Sequence, residues 1–289
     1  MNEDKQCNRE MKASERVKLA RNAARPVTYD YIDHLFEKFF PLAGDRRSGE
    51  DMSIIGGVAI FHGIPVTVIG HQKGKTLEEK IQYRFGMPNP EGYRKAQRLM
   101  KQAEKFKRPV VTFIDTPGAY PGKEAEARGQ GEAIAGCLAV MSRLTVPTVS
   151  VFIGEGGSGG ALAIGVADKT IMLENSVFSI LSPEGFASIL WKDADRWEEA
   201  CEVMKLTAAD LKRLGIVDTV ISETDHKTGE SGAHLIEEQL YERVDLAIYE
   251  AILPLMQKKG SALAEQRYKK LRAIGSTDRK AERNQNGRN

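Results

Sequence analysis

Short apolar runs rich in β-branched residues alternate along the chain with amphipathic stretches of helical spacing, a pattern typical of α/β proteins. Two of the apolar runs, 54–61 and 64–69, are joined at His62-Gly63 and predict a β-hairpin that enters a core sheet. The remaining strands are predicted at 109–114, 147–153, 169–173, 177–180 and 216–221.

Helices are predicted where apolar residues recur every three or four positions. Residues 27–40 show this spacing, with Thr28 or Asp30 as the N-cap and Pro41 as the stop. A helix with frayed ends is predicted within 1–25. One helix is predicted to begin at the N-cap Asn89 and to run through 93–106, and another is predicted at 207–214, with Thr207 as its N-cap and Gly215 after its end. The other predicted helices are 126–144, 161–167, one that starts at Pro183, 193–204 and 233–256.

The glycine-rich stretch 154–165 follows the apolar run 149–153, and six of its twelve residues are glycine. This pattern predicts a tight turn between a strand and the N-terminus of a buried helix. Backbone N–H groups at such a turn form an anion or oxyanion site. Close packing of helix on strand is a second interpretation. A third is a nucleophile elbow at Ser158, which requires a histidine downstream; only His226 and His234 follow, both in polar sequence.

A second glycine-rich loop, 115–122, follows the predicted strand at 109–114. Because the carboxyl ends of neighbouring parallel strands meet at one edge of a sheet, the two loops are expected to converge there. Asp115 is expected to tie its own loop. A third loop, 71–75, is basic and is interpreted either as a solvated turn or as a phosphate contact made through residues such as Lys73.

The composition indicates an ordinary globular chain, with 41% hydrophobic and 28% charged residues in 289. It contains no apolar run of eighteen residues, and its polar N-terminus does not resemble a signal peptide. The three cysteines, Cys7, Cys137 and Cys201, are far apart, which argues against a zinc ribbon and favours a reducing compartment. Basic residues concentrate at the ends: residues 251–289 hold ten Lys or Arg against three Asp or Glu.

Six motifs, in order along the chain, carry a resemblance to a known family. They are I-I-G-G (54–57), I-G-H-Q-K-G (69–74), F-G-M-P-N-P-E-G-Y-R-K-A (85–96), F-I-D-T-P-G-A-Y-P-G (113–122), G-E-G-G-S-G-G-A-L-A-I-G (154–165) and S-P-E-G-F-A-S-I-L-W-K (182–192). Together they resemble the carboxyltransferase α subunit of the multi-subunit, bacterial and plastid type of acetyl-CoA carboxylase. The resemblance covers roughly residues 26–222.

This resemblance implies an α/β, ClpP/crotonase-like fold with a helical N-terminal segment and a long C-terminal helix. The expected regions are an N-terminal helical segment (1–50), a crotonase-like carboxyltransferase domain (51–256) and a basic, flexible tail (257–289). The sequence departs from the family at two points. The extension before Arg25 is shorter than is usual, and Phe186 replaces a smaller residue, which puts contacts of the extension and packing near the site in doubt.

The family transfers a carboxyl group from carboxybiotin, held on a biotin carrier protein, to acetyl-CoA, and the product is malonyl-CoA for fatty acid synthesis. The resemblance therefore implies a β-subunit partner in an α2β2 heterotetramer, with zinc on the β subunit alone. This chain is expected to bind no metal and to carry no covalent cofactor. The expected location is the cytoplasm.

By the same resemblance, the α subunit supplies the oxyanion hole on the biotin side. The candidate donors are the backbone N–H groups of Gly156 and Gly157. Gly118 and Ala119 are expected to line the neighbouring wall. The other candidate substrate-binding residues are Ser158, Gly159 and Lys73. Ser158 is also expected to cap the helix.

Glu155 is interpreted as a turn residue held by backbone N–H groups rather than as a general base. Three other functions are alternatives. An enoyl-CoA hydratase-like lyase would need facing carboxylates, for which the sequence offers Glu155 alone. A ClpP-like serine peptidase would use Ser158, and a non-catalytic scaffold would keep only the fold. Carboxylation of a CoA thioester with and without a β partner separates them.

Overall fold

The computed structural model describes residues 11–225 and 228–275. Within these ranges the strands are β1 (Glu37–Pro41), β2 (Ile54–Phe61), β3 (Ile64–His71), β4 (Val110–Thr116), β5 (Thr148–Gly157), β6 (Lys169–Leu173), β7 (Val177–Ser179) and β8 (Thr219–Ile221). The α-helices of the same ranges are α1 (Ala13–Ala20), α2 (Thr28–Leu35), α3 (Leu77–Gln82), α4 (Pro90–Lys105), α5 (Lys123–Ala127), α6 (Gln130–Arg143), α7 (Ser158–Leu162), α8 (Pro183–Trp191), α9 (Trp197–Met204), α10 (Ala208–Arg213), α11 (Glu237–Met256) and α12 (Gly260–Ala273).

A single mixed sheet connects these strands in the order β1-β2-β3-β4-β5-β6-β8. The first three strands pair antiparallel, and the strands from β3 onward pair parallel. The short β7 pairs with residues 155–157 at the end of β5. Helical crossovers connect β3 to β4 and β4 to β5, as parallel pairing requires. The carboxyl ends of β4 and β5 therefore lie next to each other.

The predicted hairpin at 54–61 and 64–69 is confirmed as β2 and β3. Its two-residue turn has positive φ at His62 (46°) and Gly63 (76°), the conformation that suits the twist of a hairpin. The strands predicted at 109–114, 147–153 and 169–173 are also confirmed. The strand predicted at 216–221 begins later, at Thr219.

The two faces of the sheet bury different apolar clusters, because successive side chains of a strand point to opposite faces. On one face, Val111 and Phe113 of β4 and Val151 of β5 pack beneath α2 and α11. On the other face, Ile114 of β4 and Phe152 of β5 pack beneath α4 and α6. A smaller third cluster joins α1 to α9. The long C-terminal helix, α11, is confirmed and covers the first of these faces.

The helix predicted over 27–40 is wrong beyond Leu35. Residues 37–41 instead form β1 and pair antiparallel with β2. The main chain of these residues forms hydrogen bonds with the free edge of β2. These bonds favour a strand, although the phenylalanines are spaced as in a helix. The N-cap is Val27, not Thr28 or Asp30, although the Asp30 carboxylate accepts the Val27 N–H at 2.7 Å.

Two other predicted helices are shorter than expected. The helix at 126–144 is divided into α5 and α6 at Gly129, whose φ is 83°. The helix predicted at 161–167 is replaced by α7, which has five residues and begins earlier, at Ser158. Within the described ranges, α1 is the part of the N-terminal helix that forms; residues 1–10 lie outside them.

The flexible tail predicted from residue 257 is wrong for 260–273, which form α12. Arg267 of this helix is fully buried and forms an ion pair with Asp168 at 2.8 Å. Its guanidinium also donates to the carbonyl oxygens of Met141 and Leu144. A basic side chain therefore docks this helix on the core. Residues 276–289 lie outside the described ranges.

Candidate active site

The two glycine-rich loops lie side by side at the carboxyl ends of β4 and β5, as predicted. A Cβ at Gly157 would overlap the carbonyl oxygen of Pro117. A Cβ at Gly160 would lie 2.5 Å from the nitrogen of Ala119. Glycine at these two positions lets the loops touch, so close packing accounts for both residues.

The turn into α7 presents main-chain donors beside these loops. Gly157 is the N-cap, and Ser158 begins the helix with φ at +54°. The N–H groups of Ser158, Gly159 and Gly160 have no acceptor within the helix, because the first turn of an α-helix has no preceding helical carbonyls. The predicted strand, glycine turn and helix N-terminus are thus present.

The prediction that Ser158 caps α7 is wrong. Ser158 lies inside the helix rather than before it, and its hydroxyl makes no capping bond. The side chain is exposed, and among the described residues no hydrogen bond joins it to a histidine. His234 contacts Asn22, with 3.4 Å between the side-chain nitrogens, and His226 lies outside the described ranges. The geometry provides no base for a serine nucleophile in this part of the chain.

Charged side chains form a continuous ion-pair network behind the turn. Lys73 Nζ lies 2.7 Å from Asp115 Oδ1 and 3.1 Å from Glu155 Oε2. Arg21 Nε lies 2.7 Å from the other oxygen of Glu155, and its Nη1 lies 2.6 Å from Glu184. The network therefore connects the loop after β3, the ends of β4 and β5, and the start of α8 to the residue that follows α1.

These charges determine the protonation of Glu155. Burial alone would raise the pKa of this carboxyl, but the positive charges of Lys73 and Arg21 outweigh burial and lower the pKa below its ordinary value. Burial would lower the pKa of Lys73, and the carboxylates of Asp115 and Glu155 raise it instead. Glu155 is thus an ionised partner of two cations, which disfavours a role as general base at neutral pH.

The partners predicted for Glu155 and Asp115 are both wrong. Glu155 is a turn residue, but its side chain is held by two cations rather than by backbone N–H groups. Asp115 ties the neighbouring loop rather than its own, because its Oδ1 accepts the main-chain N–H of Glu155 at 2.9 Å. The basic loop is not a solvated turn at Lys73, whose ammonium lies between two carboxylates.

The structure brings six predicted site residues together and places the seventh, Lys73, behind them. The six are Gly118, Ala119, Gly156, Gly157, Ser158 and Gly159. Gly156 and Gly157 are buried within β5, where they pair with β7, and the Gly118 N–H donates to the Thr116 hydroxyl at 3.0 Å. Whether any of these residues binds a ligand stays a prediction.

Arg21 is the functional candidate that the sequence analysis missed. It borders a small cleft of about 50 Å³ together with Val17, Pro117, Gly156 and Gly157. Arg21 and Glu155 are 134 positions apart, so no local pattern connects them. The polar, mixed-charge segment that contains Arg21 gave no signal for a site.

Two polar side chains are buried beneath the turn. The Tyr93 hydroxyl would lie 2.9 Å from a Cβ at Gly160. His71 ends β3 and is fully buried. Burial, helped by the positive charge of Lys73, lowers the pKa of His71 to about 3. The imidazole is therefore neutral at physiological pH.

Solved structures with similar folds belong to carboxylases and decarboxylases of acyl groups. The chain aligns with transcarboxylase 12S at a TM-score of 0.61 and 19% identity, over 78% of this chain and 42% of that one. It aligns with a Pseudomonas malonate decarboxylase hetero-tetramer, in complex with coenzyme A, at a TM-score of 0.62 and 18% identity, over 82% and 90%. These likenesses show the fold: a crotonase-like α/β fold shared with carboxyltransferases.

The amino-acid sequence matches one family over most of its length. Residues 1–275 match the family described as acetyl co-enzyme A carboxylase carboxyltransferase-like. Acetyl-coenzyme A carboxylase carboxyl transferase subunit alpha of Bacillus cereus (strain G9842) is 55% identical over 265 residues, 92% of this chain and 80% of that protein. The corresponding protein of Bacillus thuringiensis (strain Al Hakam) shows the same identity and coverage. The chain belongs to the acetyl-CoA carboxylase carboxyltransferase alpha-subunit family.

As an alpha subunit it is one component of a multi-subunit carboxyltransferase. The resemblance drawn from the six motifs is thereby confirmed, as is the crotonase-like fold. None of the helices in the described ranges combines the length and apolarity that a membrane crossing demands.

Proposed function

We propose that this chain forms the biotin-side half of a site that transfers a carboxyl group from carboxybiotin to acetyl-CoA. The observation that carries the proposal is the pair of glycine loops, which touch at one sheet edge and open onto the first turn of α7. Backbone donors are concentrated there, and the carboxylate next to the turn, that of Glu155, is paired with two cations. Backbone donors of this kind are typical of a site that stabilises developing negative charge without a protein nucleophile.

The chain's own residues act by hydrogen bonding. Carboxybiotin, presented by a carrier protein, supplies the carboxyl group and afterwards a basic nitrogen. In our proposal the N–H groups of Ser158 and Gly159, in the first turn of α7, donate to the ureido oxygen, because Gly156 and Gly157, the donors predicted from the sequence, pair with β7. Gly118 and Ala119 form the opposite wall. Loss of one such donor typically lowers the rate by about 10²–10³-fold.

The dimensions of the cleft support a half-site. A volume of about 50 Å³ holds one or two water molecules, whereas ligand pockets span roughly 300–1,000 Å³. The donors at the turn fit a ligand oxygen, but another surface must enclose the rest of the ligand. Large apolar side chains are exposed on the segment from the end of β7 through α8, whose first residues line the cleft: Ile180 is 78% exposed, Ile189 63% and Leu190 58%. Exposed apolar side chains of this kind are expected on a surface that a partner covers.

We assign that covering surface to a β subunit, in an α2β2 heterotetramer that acts in the cytoplasm. In this arrangement the β subunit carries the zinc and the acetyl-CoA side of the site. The malonate decarboxylase with a similar fold is a hetero-tetramer and transcarboxylase 12S assembles as a hexamer, which supports an oligomer of this kind. Lys73 supports the glycine turn from behind as part of the ion-pair network.

The test compares the purified chain alone with the chain mixed with a β partner. Each sample receives carboxybiotin and acetyl-CoA, and malonyl-CoA is measured. We expect transfer only in the mixture, because each half of the site stabilises one of the two developing charges. Substantial malonyl-CoA from the chain alone would contradict the half-site. No transfer in a mixture that forms a stable complex would contradict the function itself.

A further inference from the structure

Arg21 bridges two carboxylates that belong to different parts of the site. Its Nε donates to Glu155 at 2.7 Å, while Nη1 and Nη2 donate to the two oxygens of Glu184 at 2.6 and 3.3 Å. Three hydrogen bonds from one planar group suit a guanidinium and exceed what an ammonium can match in this geometry. Arg21 thereby ties α1 to the end of β5 and to the start of α8.

Glu155 lies immediately before Gly156 and is held from two sides. Lys73 binds one carboxylate oxygen from the loop after β3, and Arg21 binds the other from the end of α1. The main-chain N–H of Glu155 is held separately by Asp115. Removing Arg21 leaves the Glu155 side chain attached to Lys73 alone, on the side away from α1. The Glu155 side chain would then lose one of its two cations, beside the backbone that leads into the glycine turn.

We propose that Arg21 is a positioning residue for carboxyl transfer, which orients the glycine turn through Glu155. The inference rests on the proposed function of that turn. Arg21 is suited to this role because its side chain is 34% exposed and lines the small cleft beside Val17 rather than packing in the core under the sheet. Its loss should therefore alter the turn while the fold persists.

The first experiment uses the complex with its β partner and compares Arg21→Ala with Arg16→Ala. Arg16 is the matched control: it lies on α1, the helix that Arg21 follows, and also donates hydrogen bonds, but to Glu174 and Asn175, away from the turn. We expect kcat to fall about 10–100-fold in Arg21→Ala, because small misplacement of a reacting group costs up to about a hundredfold. The KM for acetyl-CoA should stay within about twofold, since the change lies on the biotin side.

Two conservative variants separate orientation from loss of fold. Arg21→Lys keeps the charge with fewer donors and should recover part of kcat. Glu184→Gln leaves the bond between Arg21 and Glu155 in place and should reduce kcat less than Arg21→Ala does. Both variants remain informative if Arg21→Ala does not fold.

A double-mutant cycle tests the route through Glu155. If Arg21 acts through this carboxylate, Arg21→Ala combined with Glu155→Gln should lower kcat no further than the more damaging single variant. Multiplicative losses would overturn the proposed route. An unchanged kcat in folded Arg21→Ala, or an equal loss in Arg16→Ala, would overturn the positioning role. Neither result would affect the proposed function, which fails only if the unmodified complex transfers no carboxyl group.

Discussion

Single residues around the glycine turn are held by two different forces. Gly157 and Gly160 are explained by contact, because a Cβ at either position would meet the main chain of the neighbouring loop. Glu155 is explained by charge, because Lys73 and Arg21 hold its two oxygens. A substitution at the first kind of residue disturbs packing, and one at the second kind disturbs orientation. The two kinds require different tests.

Ser158 holds a left-handed φ of +54° that favours glycine. We expect Ser158→Gly to be more stable than Ser158→Ala by about 1 kcal/mol, because alanine must hold the same φ and glycine holds it without strain. Urea denaturation measures the difference. Carboxyl transfer by Ser158→Ala should stay within about threefold of the unmodified rate. A loss of a thousandfold or more in a folded variant would instead indicate a serine nucleophile.

Gly157 and Gly159 form a matched pair for testing contact at the turn. A Cβ at Gly157 would overlap the Pro117 carbonyl oxygen, whereas one at Gly159 would make an ordinary 3.5 Å contact with Ile134. We expect Gly157→Ala to lower the free energy of unfolding by about 1–3 kcal/mol and Gly159→Ala to change it by less than about 1 kcal/mol. Equal stability of the two variants would show that the loops do not touch as described.

Gly157→Val is a poor probe of an oxyanion donor for the same reason. The added side chain points at Pro117 and not at open space for a ligand. A control for the added side chain must be a glycine outside the site where a Cβ fits. Gly74 fails this condition, because its φ is +77° and a Cβ there would lie 2.6 Å from Glu79. Gly131, with no atom within 4 Å of its Cβ position, is the better control.

At the scale of elements, α7 and α12 show how tertiary contacts decide where a helix begins and ends. Five residues of α7 are too few for a stable isolated helix, so the packed loops around it must supply its stability. The helix α12 is docked by Arg267, which binds Asp168 and three nearby carbonyl groups while fully buried.

Arg267→Ala should release α12 from the core. The substitution leaves Asp168 buried without its cation, which typically costs about 3–5 kcal/mol. Urea denaturation and limited proteolysis after residue 256 measure this effect. Lys269→Ala is the control, since Lys269 is exposed on the same helix and, among the described residues, pairs with Glu265 alone. Its effect should stay below about 0.5 kcal/mol. A similar loss in both variants would mean that the buried pair does not hold the helix.

Local patterns predicted the elements whose cause is local. The hairpin turn at His62-Gly63, the N-terminal proline of α8 and the Thr207 cap of α10 are each explained by a few neighbouring residues. The strand β1 and the helix α12 escaped prediction because distant partners cause them, a free sheet edge and a buried carboxylate. At the site, the meeting of the two glycine loops was predictable from parallel topology. Arg21 was not, since its partners are remote in sequence.

At the scale of the whole molecule, the sheet separates two apolar faces, and a neutral histidine lies buried where the site meets one of them. The pKa of His71 is lowered to about 3 in the folded chain, whereas an unfolded histidine has a pKa of about 6.5. Between these values the unfolded chain binds more protons. The contribution of His71 to the free energy of unfolding is therefore fully present above about pH 6.5 and is lost as the pH falls below that value.

His71 should make stability depend on pH in a range where carboxylates do not titrate. Between pH 7.5 and 5.5 the free energy of unfolding should fall by about 1.4 kcal/mol on account of this residue. Urea denaturation at both pH values measures the fall, and His71→Gln should lack that part of it. His62→Asn, at the exposed hairpin turn, should keep it. If His71→Gln does not fold, NMR titration of the His71 ring in the unmodified chain replaces it; protonation near pH 6 would contradict the prediction.

The bond between Arg267 and Asp168 also bears on synthesis of the chain. The two residues are 99 positions apart, and Asp168 lies between the start of β5 and the start of β6. While the ribosome is still translating the residues between them, Asp168 lacks its cation, and the groove that α12 fills is open to water. The central strands can pair during translation, but this part of the core is completed only after residue 267 has left the exit tunnel. We therefore expect nascent chains stalled before that point to be sensitive to proteases and to bind chaperones.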